Sequence, residues 1–367
     1  MGRHYLNNEL GVNYDRQAIA VAMGEEAEQE NTYQLFRVYW TPSMSFAFSK
    51  QQVVVKTRIS YAHQAYRQSR TGHLWVDPSI QWNWKVSALS NFSADVGYTN
   101  SPLTGKSIYD TPIFTTYRTQ KINQGKTAVT HDLRATATYK YANPVWGLFL
   151  NVSPMYARTS GNILYENALN DRVFTIVATD KKRATETTGL SGHISKTFGW
   201  AKTLLGLGAS FTTTNYCMLV TGKVNDARMT VTSVALNFSL RPTRLLSVEG
   251  RSSVSFNQQK NQTAPQLSSG STNDWEHRLN IHVFPANGWM LSIKNQLFHT
   301  NSEGIGTSFF LDLAMSYKAK RWELTFSANN IIGSSKLEQH VLGNTIETYM
   351  ATHLSPREFL VNWAIDL

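Results

Sequence analysis

Hydrophobic and polar side chains alternate along most of this chain with a period of two, the pattern expected of β-strands. The alternation is clearest near the C-terminus, where one face of the segment carries Phe359, Val361, Trp363, Ile365 and Leu367. The same pattern runs through 309–318, 322–329 and 132–141. Because a helical period of 3.6 residues fits these segments poorly, the sequence predicts an all-β protein.

Two kinds of connection separate the predicted strands. Tight turns, most of them carrying Pro, Gly, Asn or Ser, are predicted near 41–43, 85–87, 142–144, 199–201, 241–243, 285–288 and 318–320. Longer polar connections are predicted at about 15–32, 67–72, 100–126, 160–183, 218–227, 258–273, 300–306 and 333–344. These breaks predict about sixteen strands, each longer than the five or six residues usual in soluble sheets. Short connections at one end and long ones at the other are typical of outer-membrane β-barrels.

Composition narrows the class of protein further. Charged residues make up 16% of the 367 residues and aromatic residues 12%, with a mean hydropathy of −0.32. The sequence contains no apolar run of the roughly 18 residues that a transmembrane helix needs. Its many aromatic and β-branched residues also exclude intrinsic disorder. An antiparallel transmembrane β-barrel remains, because alternation hides its hydrophobicity from averaging.

Tryptophan positions provide an independent indication. Six of the ten tryptophans fall close to a predicted tight turn: Trp40, Trp84, Trp146, Trp200, Trp289 and Trp322. Tryptophan rings prefer the headgroup level of a bilayer, so the set predicts an interfacial girdle at the end of the barrel that carries the short turns. The alternative is that these rings pack at hairpin ends in a large soluble β-protein.

Catalytic chemistry is not indicated by any motif. Gly125-Lys126-Thr127 supplies only the second half of a phosphate-binding loop, and the ten histidines show no zinc-ligand spacing. The single cysteine, Cys217, is expected to be inert. We therefore expect no enzyme, cofactor or metal site, and the sequence identifies no catalytic or ligand-binding residue.

Charged side chains on the polar side of the predicted strands are expected to form interior salt bridges and hydrogen bonds rather than a catalytic pair. The two pairs singled out are Glu249 with Arg251 and Asp132 with Arg134. Lys181-Lys182-Arg183 is the only basic triplet and is predicted to lie in a surface loop. The formal net charge of +10 is spread along the chain. With no recognisable nucleic-acid-binding module, nucleic acid is not an expected partner, and any pore would mildly favour anionic solutes.

The C-terminal third resembles the end of TonB-dependent outer-membrane receptors, in particular the outer-membrane β-barrel family widespread in Bacteroidetes. The resemblance rests on the order and spacing of several weak motifs. They are Phe309-Phe310-Leu311-Asp312, Tyr317-Lys318, the segment Trp322 to Ile332, Ser355-Pro356-Arg357-Glu358-Phe359-Leu360, Arg241-Pro242-Thr243 and Phe284-Pro285-Ala286-Asn287. Upstream of these motifs only the general alternation is similar.

The resemblance implies a cell outer-membrane location and the binding and import of a nutrient such as an iron chelate, glycan or peptide. It also implies the partners: outer-membrane lipid, the barrel-assembly machinery, TonB and a surface lipoprotein. Family members carry a signal peptide, a plug domain and a 22-stranded barrel, whereas 1–367 reads as one barrel domain. The resemblance therefore implies the last sixteen strands of such a barrel, although the strand count is equally compatible with a complete sixteen-stranded barrel. The two alternatives are a complete porin-like passive channel and a soluble extracellular carbohydrate-binding β-protein.

Overall fold

The computed structural model describes residues 3–21, 29–66, 69–102, 112–116, 118–123, 128–170, 173–220, 222–263, 270–302, 305–333, 336–342, 347–353 and 357–365. These residues form 22 β-strands. The strands are β1 Arg3–Val21, β2 Gln29–Ala47, β3 Gln51–Tyr66, β4 Ser69–Trp84, β5 Ser90–Pro102, β6 Ile113–Thr116, β7 Thr119–Ile122, β8 Val129–Asn143, β9 Leu148–Gly161, β10 Leu164–Asn170, β11 Val173–Thr179, β12 Arg183–Phe198, β13 Thr203–Val220, β14 Lys223–Thr243, β15 Leu246–Asn261, β16 Gly270–Val283, β17 Trp289–Thr300, β18 Ser308–Lys318, β19 Trp322–Gly333, β20 Lys336–Leu342, β21 Glu347–His353 and β22 Glu358–Ile365.

Sixteen of these strands form a single antiparallel meander. They are β1 to β5, β8, β9, β12 to β19 and β22, and each pairs with the next. The predicted all-β class and strand number are therefore confirmed. The described residues contain one short 3-10 turn, Trp200–Lys202, and no α-helix. Accordingly, no described helix is long and apolar enough to cross a membrane.

The long connections carry structure that the sequence did not predict. β6 and β7, β10 and β11, and β20 and β21 each form a hairpin within one of them. Two of these hairpins are joined, because β7 pairs in parallel with β11, and β10 pairs in parallel with the end of β13. The connection predicted at 218–227 is instead tight: β13 and β14 pair up to Val220 and Lys223, with Gly222 at φ +76°.

The predicted turn at 41–43 is wrong. β2 continues through these residues, and the turn follows at 48–50, where the backbone N–H of Phe48 donates to the Gln51 carbonyl at 2.7 Å. Pro42 is tolerated because the β2–β3 register has a gap between Trp40 and Ser43, where its missing N–H is not needed. Trp40 therefore lies within a strand. Of the other five tryptophans of the predicted girdle, Trp84, Trp289 and Trp322 are terminal residues of strands, and Trp146 and Trp200 lie in the short turns themselves.

The two edge strands of the meander pair on one side only in the described structure. β1 pairs with β2, β22 pairs with β19, and no pairing joins β1 to β22 among the described residues. All eight residues of β22 are exposed. Within the described structure, each of these two strands therefore has one edge of unpaired backbone N–H and C=O groups. Such an edge can pair with another strand.

Candidate solute-binding surface on the polar face

The register of the meander assigns one apolar and one polar face to the whole sheet. On the apolar face, paired positions run across strands, as in the row Leu10, Trp40, Ile59 and Val76. A second such row, Leu150, Ile194, Leu207 and Leu236, crosses β9, β12, β13 and β14. Many of these large side chains are exposed; Leu10 is 78% and Leu207 47% accessible. The apolar alternation predicted from sequence is thus a continuous exposed surface.

The most deeply buried part of the polar face lies on β1 to β4. Tyr33, Ser60, Gln64 and Trp75 are all at most 4% exposed there. On β1 to β4, eight residues carry buried polar atoms that have no hydrogen-bond partner in the described part of the chain, and six of them surround this buried region. We call these residues the polar patch: Gln17, Tyr33, Arg37, Ser60, Gln64 and Thr71. Register pairs tie the patch together, with Gln17 opposite Tyr33 and Gln64 opposite Thr71.

The unpaired polar atoms of the polar patch indicate that a further hydrogen-bonding partner can bind there. Buried polar groups in proteins are almost always hydrogen-bonded, and each one left unpaired costs about 1–3 kcal/mol. The unpaired atoms of the polar patch include the hydroxyl of Tyr33 and both polar atoms of the Gln64 amide. Donors and acceptors gathered in this way suit ordered water or a hydrophilic solute that supplies the missing partners.

Aromatic rings and arginines flank the polar patch. The guanidinium carbon of Arg37 lies 4.9 Å from the ring centroid of Trp75, and that of Arg58 lies 4.5 Å from the centroid of Tyr39. His73 stacks on Trp75 with ring planes 7° apart. These contacts hold cationic and aromatic groups in fixed positions beside the unpaired amide and hydroxyls.

A second feature of the polar face is an acidic cavity of about 490 Å³ beneath the β20–β21 hairpin. Its charged lining consists of Asp274, Glu276 and Glu338 against Arg251, with His299 at its edge. The Glu338 carboxylate accepts from the Tyr349 hydroxyl at 2.7 Å within the hairpin, and it ties the hairpin to the loop before β18 by accepting from the Gly306 backbone N–H at 3.4 Å. The Tyr349 hydrogen bond, the largest effect, lowers the pKa of Glu338.

Neither expected charge pair forms a salt bridge, although Asp132 does form an interior hydrogen bond. Asp132 accepts a hydrogen bond from Thr159 at 2.6 Å instead of pairing with Arg134, and Glu249 makes no ion pair with Arg251. In each predicted pair the two residues are next neighbours on one face of the same strand. The ion pairs that the described residues form are Arg158 with Glu186, across two strands, and Arg278 with Glu276.

The structure gives no binding or catalytic role to the other residues singled out from the sequence that it describes. Lys181 and Lys182 precede β12, and the Lys181 ammonium donates to the Gly222 carbonyl at 2.7 Å. Cys217 is a free thiol 3.4 Å from an Asp226 carboxylate oxygen. Gly125, Lys126 and Thr127 lie outside the described residues. In the part of the chain that the structure describes, no three His, Cys, Asp or Glu side chains are arranged to hold a metal ion.

Sequence reasoning missed the polar patch. A signal was present, because Arg37, Tyr39, Arg58 and Trp75 are large residues at positions of β2 to β4 that alternation assigns to the polar face. Large aromatic and cationic residues on a face otherwise rich in Ser and Thr indicate a region that is covered by other parts of the chain or that binds a solute.

Comparisons with known proteins give structural likenesses only. No protein-family model and no curated sequence matches the chain. The siderophore receptor PirA from Acinetobacter baumannii is 12% identical, with a TM-score of 0.48 over 98% of this chain and 59% of its own. A mutant of the ferric enterobactin receptor PfeA from Pseudomonas aeruginosa is 10% identical, with a TM-score of 0.46 and the same coverage. A FadL homologue from Pseudomonas aeruginosa is 9% identical, with a TM-score of 0.31 over 80% of this chain and 78% of its own. The chain thus spans about three-fifths of the length of the two receptors.

Proposed function

We propose that the chain is the barrel part of an outer-membrane transport protein that binds a hydrophilic solute on its polar face. The observation that carries the proposal is the exposed apolar surface that runs in register across the meander while the opposite face stays polar. A soluble sheet buries its apolar face against a second layer. Here the apolar face is the exposed one, and lipid is the solvent that suits it.

Membrane location is tested by expressing the full chain in a Gram-negative host with an added signal peptide. We expect it in the outer-membrane fraction, extracted by detergent, with a folded form that migrates faster than the boiled form. Recovery in detergent-free buffer as a soluble folded protein would reject membrane location. It would favour the soluble carbohydrate-binding alternative, which a glycan-binding assay would then address.

We further propose energised import, as the sequence resemblance implies, with TonB, a surface lipoprotein and the barrel-assembly machinery as partners. The free edges of β1 and β22 support a sheet completed by strands from elsewhere, because lipid cannot satisfy open backbone groups. A complete passive channel requires β1 to pair with β22. One cysteine on β1 and one on β22, introduced together in a Cys217→Ser background, separate the two arrangements. A disulfide within one chain would show that the two strands pair, as the passive channel requires.

Import is measured with three labelled probes: a ferric catecholate chelate, a maltooligosaccharide and an oligopeptide. We expect cells to accumulate one of them, with accumulation lost when a protonophore removes the proton-motive force. Accumulation that is unaffected by the protonophore, together with steady conductance in a planar bilayer, would instead support the passive channel.

A further inference from the structure

Five residues form a charged row on the apolar face near the ends of the strands that carry the long connections. We call Arg158, Glu186, Asn215, Arg228 and Lys260 the cationic row. They are direct register partners across β9, β12, β13, β14 and β15: Arg158 opposite Glu186, Glu186 opposite Asn215, Asn215 opposite Arg228, and Arg228 opposite Lys260. Polar side chains, four of them charged, are therefore continuous across five strands on a face that is otherwise apolar.

Charge within the cationic row is not balanced. Arg158 pairs with Glu186 at 3.4 Å. Arg228 donates from Nε to the Asn215 amide oxygen at 2.8 Å, which leaves its positive charge without a carboxylate, and Lys260 has no ion-pair partner among the described residues. The nearest carboxylate along β14 on this face, Asp226, accepts from the Cys217 thiol at 3.4 Å. Like charges directly opposite each other destabilise a sheet, so Arg228 and Lys260 are placed to share an anion.

The position of the row along the strands indicates where that anion lies. Two residues closer to the short turns, Thr188, Thr213 and Thr230 form a hydroxyl row, in which Thr213 and Thr230 hydrogen-bond at 3.0 Å. The next row contains the exposed Leu190, Phe211 and Phe256, with Thr232 between the two phenylalanines. Polarity thus rises from apolar through hydroxyl to charged within four residues of each strand.

The distance along β9 from its first residue to Arg158 can be compared with the thickness of the apolar band of a membrane barrel. Ten positions separate Leu148, where β9 begins, from Arg158. At 3.3 Å per residue and a tilt near 40°, this is about 25 Å along the membrane normal, the height of the apolar band of such barrels. In the proposed membrane orientation, with the short turns at the inner face, this distance puts the cationic row at the outer headgroup level.

We propose that the cationic row binds the phosphate groups of an outer-leaflet glycolipid of the lipid A type. This inference rests on the proposed membrane function. A phosphate oxygen accepts from the free guanidinium nitrogens of Arg228 and from the Lys260 ammonium, the donors suited to phosphate. The acyl chains of the same lipid lie along Leu190, Phe211 and Phe256. Thus the headgroup and its chains fit successive rows of one surface.

The test uses the full chain extracted from the outer membrane and compares Arg228→Gln/Lys260→Gln with a matched control. The control, Arg134→Gln/Arg278→Gln, also removes two positive charges, but from the opposite, polar face, on β8 and β16. Binding of diphosphorylated lipid A is measured by native mass spectrometry. We expect the double variant to bind at least tenfold more weakly than wild type, and the control to bind within twofold of it.

Two further probes identify what is recognised. Dephosphorylated lipid A is expected to bind wild type and the double variant equally weakly, and inorganic phosphate is expected not to displace the lipid at equal concentration. Equal binding of diphosphorylated lipid A by wild type and double variant would overturn the proposal, as would displacement by inorganic phosphate, which would indicate a site for soluble anions.

Folding is controlled separately. Heat-modifiable migration on electrophoresis reports the folding of each variant. The single Lys260→Gln variant keeps the contact between Arg228 and Asn215, and we expect its affinity for diphosphorylated lipid A to fall about threefold. An unchanged affinity would count against the proposal. Failure of the proposed membrane function would appear differently, as a chain that never reaches the outer membrane.

Discussion

Arg37 and Trp75 meet across an intervening strand: the guanidinium of β2 reaches over β3 and lies 4.9 Å from the ring centroid of β4. The contact is made possible by the small residues Ser60 and Ala62, which are buried on the polar face of β3 between them. This contact holds Arg37 in place within the polar patch. The energy of the contact and the role of the polar patch in solute uptake can be tested separately.

The cation–π contact between Arg37 and Trp75 is expected to stabilise the sheet. We predict a coupling energy of about 1 kcal/mol for the partly desolvated pair. A double-mutant cycle with Arg37→Met and Trp75→Leu, followed by urea unfolding in detergent, measures it. The cycle Arg37→Met with Tyr39→Leu, whose ring is covered by Arg58 instead, is the control and should give coupling near zero. Additivity in the first cycle would contradict the assignment.

Gln64 in the polar patch is expected to trade stability for function. Gln64→Leu removes two buried unpaired polar atoms, so the free energy of unfolding should stay unchanged or rise by about 1 kcal/mol. Uptake of the probe that wild type accumulates should fall severalfold. Gln34→Leu makes the same change on the exposed apolar face of β2 and should leave uptake unchanged. A destabilised Gln64→Leu variant would mean that the amide has a structural partner.

The Glu338–Tyr349 contact predicts a pH dependence for the β20–β21 hairpin. Because the hydrogen bond lowers the pKa of Glu338 from its ordinary value of 4.5, its contribution is complete above that value and is lost as pH falls through the lowered pKa. The same bond raises the pKa of Tyr349, so the contribution also disappears at strongly alkaline pH.

Hydrogen exchange of the hairpin amides measures this effect. The protection factor, which is the exchange rate corrected for its intrinsic pH dependence, should be highest between the two pKa values and lower on the acidic side. Tyr349→Phe should speed exchange at neutral pH and return the pKa of Glu338 towards its ordinary value. Identical exchange in Tyr349→Phe and wild type would show that the contact does not hold the hairpin.

Asn330 is expected to tolerate glycine but not a β-branched residue. It adopts φ +51° at a register shift between β18 and β19, and its backbone N–H donates to Asp312 at 2.8 Å. Asn330→Val should lower the free energy of unfolding by about 2 kcal/mol, because β-branched residues are strained at positive φ, whereas Asn330→Gly should change it little. Urea unfolding compares the two, and equal losses would place the constraint in the side chain instead.

Much of the fold could be predicted because alternation is local. The apolar face of β22, with Phe359, Val361 and Trp363, was predicted from the period alone and is confirmed by its pairing with β19. Pro42 shows the limit of local reasoning. A proline within a polar triplet favours a turn, and only the gap in the β2–β3 register explains why the strand continues through it.

The candidate site depended on relationships that no local pattern contains. The polar patch brings together Gln17, Tyr33, Gln64 and Thr71 from four strands, and the register between those strands had to be known before they could be placed side by side. The hairpins also lay beyond prediction, because β7 and β11 pair with each other from two separate long connections.

The most direct test of the central claim measures which face of the sheet meets lipid. Nitroxide labels at Ser233, Val234, Ala235 and Leu236, in a Cys217→Ser background, sample both faces of β14 in membranes. We predict high oxygen accessibility at Val234 and Leu236, and high accessibility to a water-soluble nickel complex at Ser233 and Ala235. Uniform accessibility to the nickel complex at all four positions would contradict this prediction, because the apolar face would then lie in water.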